Sequence, residues 1–225
     1  MSRTYVFPDL HGRLDHLVNA VNAAHIDGAD FNDTMVFLGD YIDRGPDSAQ
    51  LVATLREFMN VRPNTVALSG NHEYMMVWGM SEGQQQLQGW LLNGGIATIE
   101  SYTDGLGVRD DAAMADDAVW FVSLPLFHED EHRVYVHAGV IPGVPLEDQS
   151  MEALHWMRYQ RLDGAGYDGK HVVHGHTPDK NGPVTTGNRT ALDVGAYNTG
   201  RYVVAVFEDD VAGGPVRVLE VHGQD

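Results

Sequence analysis

Residues 34–45 read Thr-Met-Val-Phe-Leu-Gly-Asp-Tyr-Ile-Asp-Arg-Gly, an apolar run that ends in a glycine and a charged loop. The first five of these residues predict a short buried strand. The loop that follows carries Asp40, Asp43 and Arg44, and apolar residues then recur at helical spacing over residues 49–59. The stretch therefore predicts a strand, a loop with charged side chains, and a helix.

The same unit occurs on both sides of this stretch. Upstream, residues 3–7 predict a strand that ends at Pro8-Asp9-Leu10-His11-Gly12, and residues 14–26 predict a helix. Downstream, residues 65–68 predict a strand that ends at Gly70-Asn71-His72-Glu73. Three such units in succession form the βαβαβ pattern of an α/β protein. We expect each strand to project its loop into a crevice.

The second half of the chain is richer in predicted strands. Histidines follow two of them, in His137-Ala138-Gly139 and in His174-Gly175-His176-Thr177. Two mixed sheets packed face to face, with helices outside, would accommodate both halves, so we expect an α/β fold with αββα layers. The strands are predicted at residues 133–136, 171–173, 191–194, 202–207 and 216–221.

Residues 79–118 differ in composition from the rest of the chain. They include a glutamine run at residues 84–86 and an acidic stretch at residues 110–117. We expect this segment to be a mostly helical, surface-exposed insertion over the site. Because no linker-like segment divides the chain, residues 1–225 are predicted to form one domain.

The composition excludes several classes of function. The 225 residues contain no cysteine, so a metal must be held by oxygen and nitrogen ligands. The formal net charge of −18 disfavours binding to nucleic acid or to a membrane surface. The first motif begins within ten residues of the start, which leaves no room for a signal peptide, and no apolar run is long enough to span a membrane. We expect a soluble, cytoplasmic protein.

The motifs offer a set of metal ligands. Asp9 and His11 alternate with an apolar residue, so both can turn to one side of the chain. Asp40 follows a predicted strand directly, and its two carboxylate oxygens can bridge two cations at about 3.5–4 Å. Asn71 offers an amide oxygen, and His137 and His176 offer imidazoles. This mixed set, without sulfur, suits manganese, iron or zinc better than calcium.

Three further side chains suit a role in catalysis rather than in metal binding. His72 is adjacent to a predicted ligand and is interpreted as the general acid, with Asp43 as the carboxylate that orients and charges it. Arg44 is suited to grip two phosphate oxygens with its planar guanidinium. Two roles stay open for His174: it binds a metal, or it supports a residue that does. For the remaining histidines we expect surface or packing roles, namely His16, His25, His128, His132, His155, His171 and His222.

The motifs together resemble the phosphoprotein phosphatase family of calcineurin-like metallophosphoesterases, especially the small phage and bacterial serine/threonine protein phosphatases. The family pattern Asp-x-His-Gly is met by residues 9–12, Gly-Asp-x-x-Asp-Arg-Gly by residues 39–45, and Gly-Asn-His-Glu by residues 70–73. Small bacterial members also carry a stretch similar to Trp90-Leu91-Leu92-Asn93-Gly94-Gly95. The resemblance covers most of the chain.

The resemblance implies a dinuclear-metal phosphomonoesterase that hydrolyses phosphate esters by direct attack of a metal-bridging hydroxide. It places Arg158 beside Arg44 as a second phosphate-binding arginine, with Arg161 as a nearby competitor for that role. Phosphorylated proteins, peptides or small phosphoesters are the expected substrates, with two divalent cations, manganese first, as cofactors. By the same resemblance, Asp9, His11 and Asp40 hold one metal, and the other is held by Asp40, Asn71, His137 and His176.

Two departures from the family pattern bear on the substrate. Pro8 stands where many members have glycine, which alters a turn but removes no ligand. In the last motif, Pro178 replaces a histidine that phosphodiesterases and nucleases of the wider group often carry, which favours the phosphatase branch. The alternative is a dinucleoside polyphosphate hydrolase or another nucleotide phosphoesterase, with Trp78 or Trp90 stacking on a base. A catalytically silent scaffold is disfavoured, because it predicts loss of His72 or an arginine.

Overall fold

The computed structural model describes residues 2–160 and 163–223 and contains ten strands and eight α-helices in that part of the chain. The strands are β1 (Arg3–Phe7), β2 (Thr34–Phe37), β3 (Thr65–Ala67), β4 (Phe127–Glu129), β5 (Arg133–Val136), β6 (His171–His174), β7 (Val184–Thr186), β8 (Arg189–Ala191), β9 (Arg201–Glu208) and β10 (Arg217–His222). The helices are α1 (Leu14–Ile26), α2 (Ser48–Val61), α3 (Asn71–Ser81), α4 (Gln84–Trp90), α5 (Ile96–Ser101), α6 (Asp111–Ser123), α7 (Met151–Trp156) and α8 (Ala196–Thr199).

The strands form two mixed five-stranded sheets. The first has the order β10-β9-β1-β2-β3, in which β1, β2 and β3 are parallel and β9 pairs antiparallel with β1. The second has the order β4-β5-β6-β8-β7, in which β5, β6 and β8 are parallel. The predicted βαβαβ arrangement of the first half is confirmed, because β1-α1-β2-α2-β3 follow one another in the chain.

The alternation of side chains along the strands explains the layers. In β1, Val6 packs into a core between the two sheets, whereas its neighbours Tyr5 and Phe7 pack on the opposite face. The core between the sheets includes Tyr135 of β5 and Val173 of β6. Successive side chains of a strand point to opposite faces, so each sheet has one face on its partner and one beneath outer helices. The predicted fold of two packed mixed sheets flanked by helices is confirmed.

The outer helices follow the apolar periodicity of the sequence. In α1 the buried residues include Leu17, Ala20 and Ala24, which lie on one face, and they belong to the core on the outer side of the first sheet. On the second sheet, Leu154 of α7 packs with Val134 of β5 and Val172 of β6. Helix α1 thus covers the first sheet, and α7 covers the second.

Several boundaries differ from the prediction. The strand predicted at residues 191–194 is wrong, because β8 occupies Arg189–Ala191 and the chain then turns at Asp193, whose carboxylate accepts the N–H of Gly195. The two short strands β4 and β7 were not predicted, since three residues each carry too little periodicity to be recognised. Helix α3 begins at Asn71, inside the third motif rather than after it.

Residues 79–118 contain the end of α3, all of α4 and α5, and the first part of α6, with a π-helical turn at Leu91–Gly95. Most of these residues are exposed, but Trp90 and Thr98 are buried. No helix in the described part of the chain has both the length and the apolar character needed to cross a membrane.

Candidate metal centre

The carboxyl ends of strands from both sheets meet at one edge of the sandwich, and the backbone there is unusual. Six non-glycine residues in the described chain have a positive φ, and five of them are predicted site residues. A left-handed backbone is costly for a residue with a Cβ and persists only where surrounding contacts hold it. The five are His11 (45°), Asp40 (53°), Asp43 (73°), Arg44 (71°) and His176 (63°).

Asn71 lies at the centre of one group of ligand atoms. Its Oδ1 is 2.9 Å from His137 Nε2 and 2.9 Å from His176 Nδ1. Asp40 Oδ1 is 3.5 Å from the same His137 nitrogen. The two histidines come from loops of the second sheet, whereas the carboxylate and the amide come from loops of the first. All four side chains are buried.

Asp40 also faces a second group of atoms on its other side. Its Oδ2 is 3.6 Å from His11 Nε2 and 3.9 Å from His72 Nε2. One carboxylate therefore directs one oxygen toward each group. The atoms within each group lie close enough together to hold a metal ion. This arrangement is what a carboxylate shared by two neighbouring cations requires.

Glu73 fixes the loop that carries Asp40. Its two carboxylate oxygens accept the backbone N–H groups of Asp40 (2.8 Å), Tyr41 (2.8 Å), Ile42 (3.3 Å) and Gly70 (2.9 Å). A Cβ on Gly70 would overlap the Asp40 carboxylate, so the close approach of the two loops requires glycine there. The carboxylate of Glu73 thus supports the strained backbone of a predicted ligand without reaching either group itself.

Asp9 lies in the same edge but in neither of the two groups of ligand atoms identified in the described chain. Its carboxylate accepts the backbone N–H of His176 at 3.1 and 3.2 Å. A Cβ on Gly175 would overlap this carboxylate, which explains the glycine before His176. Burial raises the pKa of Asp9 well above its ordinary value, and the nearby Asp193 carboxylate adds to the rise.

His72 and Asp43 form a hydrogen-bonded pair beside the second group. His72 Nδ1 donates to Asp43 Oδ2 at 2.6 Å, which leaves Nε2 facing the site. Two other side-chain donors hold the Asp43 carboxylate: Trp90 Nε1 at 3.0 Å from each oxygen, and Thr98 Oγ1 at 2.6 Å from Oδ1. Burial lowers the pKa of His72, and the Asp43 carboxylate opposes that shift. Residues 79–118 thus contribute two buried side chains to this pair.

The two predicted phosphate-binding arginines lie at the surface of this edge. Arg44 is exposed, and its guanidinium donates to His11 Nε2 at 2.6 Å and to His72 Nε2 at 3.0 Å. Arg158 is exposed just beyond the end of α7, and its charge contributes to lowering the pKa of His176. Arg161, the competitor for this role, lies outside the described residues.

His174 points away from the two groups. Its Nε2 accepts from Arg189 at 2.7 Å, and its Nδ1 lies 3.0 Å from the carbonyl of Gly175. Burial lowers its pKa to about 3, so the ring is neutral. The neutral ring bonds to the arginine and to the backbone. The seven histidines for which we expected surface or packing roles take no part in either group.

The charges of the site suit cations. Burial raises the pKa of Asp40 well above its ordinary value, with repulsion from Asp9 and Glu73 adding to it, and burial lowers the pKa of His11 and His137 well below theirs. The site thus holds carboxyl groups that are hard to ionise and imidazoles that are hard to protonate. Bound cations would stabilise the ionised carboxylates and bind the neutral imidazoles.

The donor atoms fit divalent metals. Asn71 Oδ1 is approached by two imidazole nitrogens at once, and the Nε2 of His176 is buried without a hydrogen-bond partner. Carboxylate, amide and imidazole donors without sulfur are typical of sites for manganese, iron or zinc.

Four side chains at this edge were not assigned to the site from the sequence. Trp90 and Thr98 bind Asp43, Asp193 lies close enough to Asp9 to influence its pKa, and the ring of Tyr197 lies 4.7 Å from the Arg44 guanidinium carbon. Trp90 was singled out within a stretch that resembles small bacterial phosphatases and as a ring that could stack on a base, but not as a partner of Asp43. Asp193 fell in a segment predicted to be a strand, and no motif marked the other two.

Residues 2–207 match the calcineurin-like phosphoesterase family. This chain belongs to that family. The match covers both sheets apart from β10 and includes every residue described at the site. The calcineurin-like phosphoesterase fold explains why ligands from distant segments meet at one edge, and membership makes the chain a metallophosphoesterase.

Two relatives of this calcineurin-like phosphoesterase are named for different activities. Serine/threonine-protein phosphatase 1 of Salmonella typhimurium is 28% identical over 212 residues, which cover 89% of this chain and 90% of the relative. A symmetrical bis(5'-nucleosyl)-tetraphosphatase of Dechloromonas aromatica is 27% identical over 139 residues, or 62% of this chain and 44% of the relative. The chain therefore spans less than half of the tetraphosphatase.

Among solved structures, a protein serine/threonine phosphatase from Saccharomyces cerevisiae has the same fold. The TM-score is 0.68 with 16% identity, and the match covers 100% of this chain and 81% of the yeast chain. At this identity the likeness shows the fold of this calcineurin-like phosphoesterase and leaves the substrate open.

Proposed function

We propose that this chain is a manganese-dependent protein serine/threonine phosphatase. The observation that carries the proposal is the Asp40 carboxylate, which directs Oδ1 toward one group of ligand atoms and Oδ2 toward the other. The serine/threonine phosphatase of Salmonella, which aligns over nearly its whole length, supports the choice of substrate.

The ligands divide between the two groups as follows. Asp9, His11 and Asp40 would hold one cation, and Asp40, Asn71, His137 and His176 the other. For Asp9 this requires its carboxylate to turn toward the cation from the His176 N–H that it now accepts. A bound pair of divalent cations lowers the pKa of water and offsets the negative charge of a phosphate.

The arginines bind and orient the phosphate. The Arg44 guanidinium lies at the mouth of the site with its N–H groups directed at two imidazole nitrogens, and these donors can turn to phosphate oxygens. Arg158 lies near His176 and can grip the phosphate from the other side. Fixing the phosphoryl group in this way sets the angle between the incoming water and the departing oxygen.

His72 supplies the proton for the leaving group. Once Nε2 has taken up a proton from solvent, the step balances: water forms its bond to phosphorus, the bond from phosphorus to the serine or threonine oxygen breaks, and His72 Nε2 gives its proton to that oxygen, while the proton lost by the water passes to solvent. Asp43 accepts the Nδ1–H of the ring and so holds Nε2 toward the site. Trp90 and Thr98 keep Asp43 in place. Because phosphate takes over the N–H groups of Arg44, it frees Nε2 for this role.

A substrate panel tests the proposal. Purified protein is stripped with a chelator, reloaded with Mn²⁺, Fe²⁺ or Zn²⁺, and assayed on a phosphoserine peptide, a phosphothreonine peptide, a phosphotyrosine peptide and diadenosine tetraphosphate. We expect turnover to return with Mn²⁺ and to be highest on the phosphoserine and phosphothreonine peptides. Turnover that survives chelation, or that prefers the dinucleotide, would contradict the proposal.

A second candidate function, hydrolysis of dinucleoside polyphosphates, is favoured by a cavity beside the site. It has a volume of about 380 Å³ and no charged residue in its lining. Trp90 is 1% exposed and bonded to Asp43, so stacking on a base falls to Trp78, which is 45% exposed, and to Trp156. The lining residues are Met75, Trp78, Gln85, Gln86, Gly89, Trp90, Asn93 and Trp156.

The variant Trp78→Ala separates the two candidates. If the cavity receives a base, the KM for diadenosine tetraphosphate should rise by about tenfold, because stacking of a base on an aromatic ring is worth about 1–3 kcal/mol. The KM for a phosphopeptide without aromatic residues should stay the same. Equal KM values for the dinucleotide in both proteins would remove this second candidate.

A further inference from the structure

Tyr197 lies at the mouth of the metal centre, and no part of the proposed function uses it. Its ring centroid is 4.7 Å from the guanidinium carbon of Arg44 and 5.3 Å from the His11 ring centroid, with the two rings nearly perpendicular. Tyr197 is 39% exposed, so one part of the ring faces these side chains while another faces solvent. The ring thus connects the first-sheet loops to the chain that follows β8.

A local turn fixes the position of the tyrosine. Asp193 Oδ1 accepts the N–H of Gly195 at 2.7 Å, and Gly195 has φ of 67°, which favours glycine. The carbonyl of Gly195 then accepts the N–H of Asn198 at 3.0 Å and that of Thr199 at 2.9 Å. The short helix α8 therefore begins at a defined angle, and Tyr197 is held toward Arg44.

Arg44 has two kinds of partner: imidazole nitrogens that take part in the proposed reaction, and the Tyr197 ring, which does not. Its N–H groups bond to His11 Nε2 and His72 Nε2, which are the nitrogens that the proposed function assigns to a metal and to proton transfer. No carboxylate forms a salt bridge with Arg44 among the described residues. The Tyr197 ring is the partner that neither a metal nor a phosphate needs. It can therefore still hold the guanidinium when the site is loaded.

Stacking on a ring leaves the donors of arginine free. The guanidinium is planar, and its five N–H groups lie in that plane, whereas an aromatic ring contacts its face. An arginine held by its face can bind two oxygens of a phosphate with its edge. Without the ring, Arg44 is an exposed, flexible side chain that must be ordered each time a phosphate binds, which weakens binding.

We propose that Tyr197 is a positioning residue that holds the Arg44 guanidinium in the orientation that binds the phosphate of the substrate. The inference rests on the proposed function, since it takes Arg44 as the phosphate ligand. It predicts that loss of the ring weakens phosphate binding and raises KM, while kcat changes less.

The experiment compares Tyr197→Phe, Tyr197→Leu and Tyr197→Ala in the manganese-loaded protein. Two quantities are measured: the Kd of inorganic phosphate by calorimetry, and KM and kcat on a phosphoserine peptide. We expect Kd and KM to rise by about two- to tenfold in the Leu and Ala variants, the size of an exposed cation–π contact, and to stay unchanged in the Phe variant. The Leu variant keeps apolar bulk in case the Ala variant unfolds.

A double-mutant cycle shows whether the effect passes through Arg44. In an Arg44→Ala background, Tyr197→Leu should cause no further rise in the Kd of phosphate. The matched control is Phe31→Ala, which removes an exposed ring 5.7 Å from the guanidinium carbon of Arg62, before β2 and so at the opposite end of the strand from Asp40. That variant should leave both Kd and KM unchanged.

Three outcomes would contradict the inference. An unchanged Kd in Tyr197→Leu, or an equal rise with and without Arg44, would show that Tyr197 does not act through the arginine. A wild-type protein that binds no phosphate would also overturn it. If wild-type protein binds phosphate but hydrolyses no phosphopeptide, the proposed function fails while the Kd values still decide the role of Tyr197.

Discussion

The loops of the two sheets contribute different chemistry to the same edge. The first sheet supplies the carboxylates, the amide and Arg44, on loops where four residues have a left-handed backbone. The second sheet supplies neutral imidazoles, His137 and His176. Asp40 of the first sheet faces both groups of ligand atoms, whereas each of the two second-sheet histidines faces one. The carboxylate that faces both groups thus belongs to the first sheet, and the histidines of the second sheet belong to only one of the two groups.

The largest expected effect comes from Asp40→Asn, which removes the shared charge. We expect kcat/KM to fall by at least about 10³-fold, because both cations lose a ligand and the phosphate loses its counter-charge. Steady-state assays on a phosphopeptide measure the loss. Asp116→Asn, at an exposed carboxylate of α6, is the control and should retain wild-type turnover. An active Asp40→Asn variant would show that the two groups are independent.

The variant His176→Asn tests the difference between the first and the second sheet. This change removes a ligand from one group, so we expect the protein to retain one tightly bound manganese ion where wild-type protein retains two. Turnover should fall by about 10²-fold. Metal content after gel filtration, measured by atomic absorption, checks the stoichiometry. Loss of both ions from this variant, with the protein still folded, would remove the asymmetry between the sheets.

His72→Asn tests whether a first-sheet side chain can act without holding metal. We expect kcat to fall by about 10²–10⁴-fold, the usual contribution of a general acid. The content of two manganese ions should persist. A variant that loses a metal ion would assign His72 to the ligands, since its Nε2 lies 3.9 Å from Asp40 Oδ2.

Trp90→Phe tests the contact between residues 79–118 and the first-sheet loops. The indole N–H lies 3.0 Å from both oxygens of the buried Asp43 carboxylate. Its loss should cost about 1.5–3 kcal/mol of support for the His72–Asp43 pair, and we expect kcat to fall by roughly tenfold with little change in KM. A change confined to KM would instead place Trp90 in substrate binding.

The smallest effect concerns a buried histidine of α7, outside the metal groups. Burial lowers the pKa of His155 to about 4, below its value of about 6.5 in an unfolded chain. The unfolded chain therefore binds more protons between these values, and the free energy of unfolding should fall as the pH drops from 6.5 to 4. In His155→Gln this slope should be shallower, as measured by urea titrations at several pH values. His25→Asn, at an exposed position, should keep the wild-type slope.

The β1-α1-β2-α2-β3 part of the first sheet could be predicted from the sequence because its information is local. Each strand, loop and helix of residues 3–81 is contiguous, and the apolar periodicity marks it. The second sheet was harder, because β4, β7 and β8 have three residues each and depend on pairing with distant strands. The strand predicted at residues 191–194 is an example. Strand β8 lies at Arg189–Ala191 instead, and the chain turns at Asp193, whose carboxylate accepts the N–H of Gly195.

The sequence motifs showed which residues could bind metal, but they did not show which side chains hold the functional residues in place. Trp90 and Asp43 are 47 residues apart, and nothing in the sequence near either residue predicts their hydrogen bond. The same holds for Tyr197, which lies just before β9 and is 153 residues from Arg44 in the chain, and which comes near Arg44 because β9 joins β1 and β2 in the first sheet. Contacts of this kind depend on the tertiary fold, so the motifs of a single sequence do not predict them.

The most direct test of the account is an anomalous difference map from a crystal of the manganese-loaded protein. The account predicts two peaks, one on each side of the Asp40 carboxylate: one contacts Oδ2 and His11, and the other contacts Oδ1, Asn71, His137 and His176. A single peak, or two peaks that do not share Asp40, would contradict the claim that one first-sheet carboxylate joins the two halves of the site.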